Sequence, residues 1–333
     1  MSAPTLVTGA TGFVGSAVAR ALAARGHRLR LLVRKGADRR NIEGLDAELA
    51  EGDLLDPPSL ARAVAGCRYL AHVAADYRLW VPDPDAMVRA NVDGTRALLQ
   101  GAAAAGVERI VYCSSVAALG LTEDGTPADE ATPLDPADVI GAYKQSKWQA
   151  QRTVLDLARE GVPVVVVNPS APVGPRDVKP TPTGKMVLDA AAGRMPAYVD
   201  TGLNVVHADD VAEGHALALE RGRVGECYIL GGEDMAMPAL LVLIDEVVGR
   251  RSPRRRARIP VGALLPVAVG AEAFARLTGR TPFVTRDTLA MSRHLMFFSS
   301  AKARAELGYA PRPARDAVRD AVAWFRSEGM LRA

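Results

Sequence analysis

The sequence predicts an α/β fold, a doubly wound parallel sheet with a smaller C-terminal α/β lobe. Three observations carry that expectation. Short β-rich runs alternate with helical patterns through the first half of the chain. The alternation opens with a strand, a glycine-spaced turn and a helix, TLVTGATGFVG over residues 5–15. The 333 residues exceed what one hydrophobic core usually serves, yet no linker or low-complexity tract divides them, so two lobes fold together.

Strand patterns occupy residues 5–7, 28–33, 47–51, 69–73, 109–113 and 164–168. Helical patterns lie between them, notably 13–25 closed by Gly26 and 85–105 closed by Gly106, each with the glycine that helix ends favour. After Asn168 the pattern turns irregular, with Pro169, Pro172, Pro175, Pro180 and Pro182 followed by scattered helices. That suits a smaller lobe closing over the sheet edge and holding a ligand. A helix pattern at 211–221 and a strand pattern at 227–230 are expected to return to the first lobe. The division is therefore interleaved, 1–168 with 205–231 against the rest of 169–333.

Apolar residues make up 49% of the chain and aromatics only 5%, so a large core of Ala, Val and Leu is expected. Net charge is +3 and the basic residues are dispersed except for the run 250–258, which argues against nucleic acid as a partner. Cys67, Cys113 and Cys227 are odd in number and lack metal-ligand spacing, as expected of reduced, buried thiols with no metal. No basic segment followed by a long apolar run precedes the first strand, so a signal peptide is not expected and a cytoplasmic location is. Residues 259–277 approach membrane-span length, but Pro266, Glu272, Arg276 and two glycines interrupt them, and a spanning helix is not expected.

The opening turn carries the first chemical signal. Gly9 permits a tight turn, Gly12 a close approach of backbone to ligand, and Gly15 helix-to-strand packing. Backbone amides and the helix N-terminus then face a pyrophosphate, placing Gly9, Thr11, Gly12, Phe13, Val14 and Gly15 at a dinucleotide in a Rossmann-type lobe. At the end of the second strand, where an acid would bind a ribose hydroxyl, stand Arg34 and Lys35. Cations there suit a 2′-phosphate, so NADP(H) is favoured over NAD(H).

The second signal is GAYKQSKW at 141–148, opening a helical pattern. Tyr143 and Lys147 are four apart, hence on one helix face, where an ammonium can stabilise a phenolate that otherwise forms only near pH 10. Ser114 and Ser115 emerge at the C-terminal end of the fifth strand, where open α/β sheets bind ligands.

Three-residue glycine spacing, Tyr-x-x-x-Lys and the Ser-Ser strand end together resemble the short-chain dehydrogenase/reductase superfamily, and later landmarks resemble its extended members. The resemblance implies Tyr143 as general acid/base, Lys147 also on the nicotinamide ribose, and Ser115 on the substrate oxygen, with Ser114 as the alternative. It also implies cofactor contacts at Asp53 and Leu54, at Val73, Ala74 and Ala75, at Asn91, and at Pro169 and Ser170. Ala75–Trp80 and Met296–Ser300 resemble the dihydroflavonol reductase-like branch and, more narrowly, bacterial hopanoid-associated sugar epimerases. Against dehydration, Val116-Ala117 stands where sugar-nucleotide dehydratases carry Asp-Glu; the Tyr-Gly of nucleotide-sugar epimerases is also missing.

The expected activity is hydride transfer at a carbinol or ketone carbon of a lipid- or sugar-bearing small molecule. The alternatives are an epimerase with tightly held cofactor and a non-catalytic dinucleotide sensor or scaffold. Tyr77 and Trp80 are candidate substrate contacts. The basic run 250–258 followed by apolar 259–277 is a candidate for peripheral contact with an anionic membrane. Helical stretches 85–105 and 142–160 are candidates for a homodimer interface.

Overall fold

The computed structural model describes residues 3–76, 83–136, 139, 141–278, 282 and 284–332. The first half reads β1 (Thr5–Thr8), α1 (Phe13–Ala24), β2 (Leu29–Val33), β3 (Ala47–Glu51), α2 (Pro57–Val64) and β4 (Tyr69–His72). It continues with α3 (Pro84–Val88), α4 (Gly94–Ala104), β5 (Arg109–Cys113), α5 (Ala142–Arg159) and β6 (Val164–Pro169). The helical pattern at 85–105 is helical throughout, with a π-helical stretch, Arg89–Asp93, joining α3 to α4.

The second half contains more strand than its irregular sequence suggests. It runs β7 (Ala171–Val173), α6 (Pro182–Ala191), β8 (Ala197–Tyr198), β9 (Gly202–His207), α7 (Ala208–Arg221), β10 (Cys227–Leu230), β11 (Glu233–Ala236) and α8 (Met237–Val247). Then come β12 (Ala257–Arg258), α9 (Val261–Thr278), α10 (Arg286–Met291), β13 (Leu295–Met296), α11 (Ala301–Leu307) and α12 (Ala314–Ser327).

Seven parallel strands form the main sheet in the order β10-β6-β5-β4-β1-β2-β3. Successive strand residues serve opposite faces. Val7, Leu31, Ala71, Val111 and Val165 pack with α1 and α7 in one core, while Leu6, Leu70, Ile110, Val164 and Val166 pack with α2, α4 and α5 in the other. Each such Val or Leu removed from water contributes roughly 1.5–3 kcal/mol. Strand order reverses between β1 and β4, which opens a crevice at the strand C-termini. The chain after β9 does come back to this layer, with α7 in the α1 core and β10 beside β6.

The smaller lobe is built around β9, which pairs antiparallel with β11 and parallel with β7 and β13. Its own core joins α6, α8 and α12 through Val187, Leu240, Ile244, Val318 and Phe325. Among the described residues no helix is long and apolar enough to cross a membrane.

Candidate functional site

β1 ends at Thr8 and the chain turns at Gly9, whose φ of +74° lies in the left-handed region. A Cβ there would stand 2.7 Å from the Ala74 amide nitrogen, and one on Gly15 would stand 2.1 Å from the Gly9 carbonyl oxygen. The β1–α1 turn is thus packed against the turn after β4 and against its own helix. Gly12 caps α1 without any side-chain bond to the first amides, and no acid lies in the first turn. Those amide donors remain available to an anion. Thr11 and Val14 are half-buried and Phe13 is buried. The Asn41 amide nitrogen donates to the Thr11 carbonyl at 3.2 Å, fastening the turn from the β2 side.

Arg34 and Lys35 directly follow β2, in a turn where the Ala37 amide donates to the Arg34 carbonyl at 3.1 Å; both side chains are exposed. Asp53 follows β3, and one carboxylate oxygen accepts from the Leu55 amide at 2.9 Å. Leu54 packs under α4, where a Cβ on Gly94 would come within 2.8 Å of its carbonyl oxygen.

A buried relay shapes the turn after β4. Thr8 Oγ1 accepts from the amides of Val73 and Ala74 at 3.2 and 3.1 Å and lies 2.8 Å from His72 Nδ1. With both lone pairs used, the Thr8 hydroxyl donates its proton to Nδ1. His72 is then the Nε2–H tautomer, donating to Thr95 Oγ1 at 2.9 Å. Full burial, with the Lys147 charge nearby, lowers the imidazole to about 3, so the ring stays neutral. The relay holds Val73, Ala74 and Ala75 at the crevice.

Asn91 sits in the π-helical stretch, and its amide is spent on the protein. Its oxygen accepts from the Asp76 amide at 2.7 Å, and its nitrogen donates to the Asp76 carbonyl at 2.8 Å and to Ser146 Oγ at 3.0 Å. Ser146 Oγ in turn donates to the Tyr143 carbonyl at 2.9 Å. Asn91 therefore ties the loop after β4 to α5 rather than presenting a free amide to a ligand.

On α5, Tyr143, Lys147 and Gln151 repeat at four-residue spacing on one face. The Tyr143 phenol lies beside Ser115, close enough for that side chain to act on its titration. Lys147 is buried and its Nζ donates to the Cys113 carbonyl at 3.1 Å. Burial pushes the Tyr143 phenol above its ordinary value, with Ser115 pulling the other way, and burial lowers Lys147. In the protein alone the Lys147 ammonium is engaged by a carbonyl, and desolvation is the largest influence on both groups. The Cys113 thiol beside them is pushed up to about 11 by burial and is inert at neutrality.

Ser115 leaves β5 and caps the short turn Val116–Ala118, its Oγ accepting from the Ala117 amide at 3.1 Å. Asn168, at the end of β6, donates to the Ser115 carbonyl at 2.9 Å and to Gln151 Oε1 at 2.7 Å. Pro169 pairs with Leu230, and the Ser170 amide donates to the Leu230 carbonyl at 3.3 Å. Ser114 Oγ, Asn168 Oδ1 and Ser170 Oγ are buried without a hydrogen-bond partner. Such atoms are costly unless something satisfies them.

The uncapped α1 N-terminus, the glycine-lined crevice and these orphaned oxygens fit a dinucleotide lying from the β1 turn to the ends of β5 and β6. The fold places Ser115, Tyr143 and Lys147 together at the ends of β5 and α5. Tyr77 and Trp80 lie outside the described residues. Sequence reasoning placed His72 in the turn beside the cofactor and Thr95 in the stretch around Asn91, but missed their hydrogen bond, and it missed Thr8 and Gln151 as parts of the site. Only Gln151 left a signal, by extending the Tyr143–Lys147 spacing one more turn.

Residues 5–231 match the NAD dependent epimerase/dehydratase family. A candidate dihydroflavonol 4-reductase from Synechocystis sp. is 42% identical over 98% of this chain and 95% of its own. Sterol demethylase protein B from Methylococcus capsulatus is 36% identical, covering 98% of this chain and 99% of that protein. The crystal structure of gox2253 superposes with a TM-score of 0.89 at 62% identity, over 99% of this chain and 100% of that one. With the doubly wound sheet and its crevice, these similarities show that the chain belongs to the NAD dependent epimerase/dehydratase family and is an NAD(P)-dependent oxidoreductase of the short-chain dehydrogenase/reductase type.

Proposed function

We propose that the protein is an NADP(H)-dependent reductase that converts a ketone to a carbinol on an apolar, polycyclic small molecule of the sterol or hopanoid kind. The observation that carries the proposal is the meeting of Ser115, buried Lys147 and the Tyr143 phenol at the crevice. At neutral pH the phenol keeps its proton, the form needed to protonate a carbonyl oxygen. When bound, the dinucleotide supplies the hydride to the carbonyl carbon. Tyr143 holds the proton at Oη and delivers it to the oxygen, while Ser115 Oγ orients that oxygen. Lys147 keeps a positive charge behind the phenol as the proton leaves.

The exposed Arg34 and Lys35 beside the β1 turn support a 2′-phosphate contact. Val116 and Ala117 supply no acid or base for water elimination. The Methylococcus relative, named for sterol demethylation, supports the apolar ring substrate.

Titration of purified protein with NADPH and NADH, with identification of any co-purifying nucleotide, tests the cofactor. Preference for exchangeable NADPH, lost in Arg34→Glu, is expected. Firmly retained NAD without net turnover would reassign the site to internal hydride return, hence to epimerisation. Exchangeable binding with no turnover on any carbinol or ketone would leave a sensor.

A further inference from the structure

Helix α9 presents an apolar face that the described residues do not cover. At 3.6 residues per turn, its buried positions Ala268, Glu272 and Ala275 fall in one narrow stripe against the lobe. The outer side carries Val267, Val269, Phe274 and Leu277, exposed by 44, 49, 55 and 87%, with Leu265, 43% exposed, at the margin of the buried stripe. One exposed leucine is ordinary, but five large apolar residues on one 18-residue helix are not.

The N-terminal end of this helix is cationic. A cavity of about 490 Å³ beside it is lined by Arg258, Arg293, Asp200, Ile259, Pro260 and Val261. Arg255 and Arg293 are exposed and, among the described residues, have no acidic partner. Three acids of this region are already paired: Asp200 with Arg258, Asp245 with Arg250 and Arg256, and Glu272 with Arg286. A second copy of this face would bring apolar surface together with its own unpaired arginines, and like charges repel. An anionic bilayer surface supplies both complements, acyl chains for the helix and phosphates for the arginines.

We infer that α9 lies flat in the headgroup region of an anionic membrane, with Arg255 and Arg293 on lipid phosphates, and docks the smaller lobe there peripherally. The inference is independent of which carbinol the crevice serves, and its test uses no activity measurement.

Purified full-length protein is sedimented at low salt with phosphatidylcholine vesicles, with and without phosphatidylglycerol. Binding is expected only with the anionic lipid and is expected to weaken as salt shortens the screening length. Phe274→Glu with Leu277→Glu, both at exposed positions, should weaken partitioning by at least about tenfold. Arg255→Glu and Arg293→Glu should each weaken it by about fivefold or more, the factor corresponding to one basic side chain. No binding to anionic vesicles, or binding indifferent to the two glutamates on α9, overturns the proposal. So does a wild-type dimer in sedimentation velocity that the same pair of glutamates converts to monomer, because the face then belongs to a second copy.

Discussion

The Thr8–His72–Thr95 relay predicts a specific acid sensitivity of the fold. Protonating His72 at Nδ1 turns an acceptor into a donor facing the Thr8 hydroxyl, whose lone pairs already hold the Val73 and Ala74 amides. The buried ring accordingly stays neutral down to about 3. The unfolded chain titrates at the ordinary value near 6.5. A base whose folded value is lowered contributes its full stability above the unfolded value and loses it as pH falls from there toward the folded value. Between pH 7 and pH 5 the loss from this one group is about 2 kcal/mol.

His215, lowered to about 4 by burial, has the same sign, and Asp177, raised to about 6 by burial, has the opposite sign. The wild-type slope alone is therefore uninformative, and the comparison is with His72→Gln, which keeps polarity without titrating. Urea unfolding at both pH values is the assay. Wild type should lose about 2 kcal/mol more than the variant on acidification. Equal losses would refute the reasoning, as would a His72 resonance titrating near 6.5 by NMR.

Tyr143→Phe should lower kcat by about 10²–10⁴ while leaving cofactor affinity, read by fluorescence titration, nearly unchanged. Because the Tyr143 phenol is raised above its ordinary value, reductive kcat/KM should stay flat across neutrality and fall only in strong alkali; a decline centred near neutral pH would contradict it. Gly9→Ala places a Cβ 2.7 Å from the Ala74 nitrogen at a left-handed residue, so thermal stability should drop by at least about 1–2 kcal/mol and NADPH affinity should collapse with it. Gln151→Leu strands an Asn168 N–H in the core at a cost of about 1–3 kcal/mol and loosens Ser115, whereas Gln151→Glu keeps the acceptor and should restore kcat.

The phosphate turn, Ser115 and the Tyr143–Lys147 pair were legible because each is local. A strand-turn-helix and a four-residue helical spacing declare themselves within a few residues. The π-helical turn between α3 and α4 was not legible, because the Asn91 clamp that accompanies it closes through Asp76 and Ser146, distant in sequence. The second lobe was read as irregular for a related reason. β8, β12 and β13 are two residues each and exist only through their partners.

By itself the sequence determined the parallel sheet, the glycine turn and the candidate site side chains, since periodicity and spacing are properties of neighbouring residues. Tertiary structure alone decided their electrostatics. Burial raises the Tyr143 phenol, and His72 becomes a neutral strut only because Thr8 and Thr95 meet it inside the core. Desolvation depends on what covers a group, and the covering residues come from elements far apart in the chain.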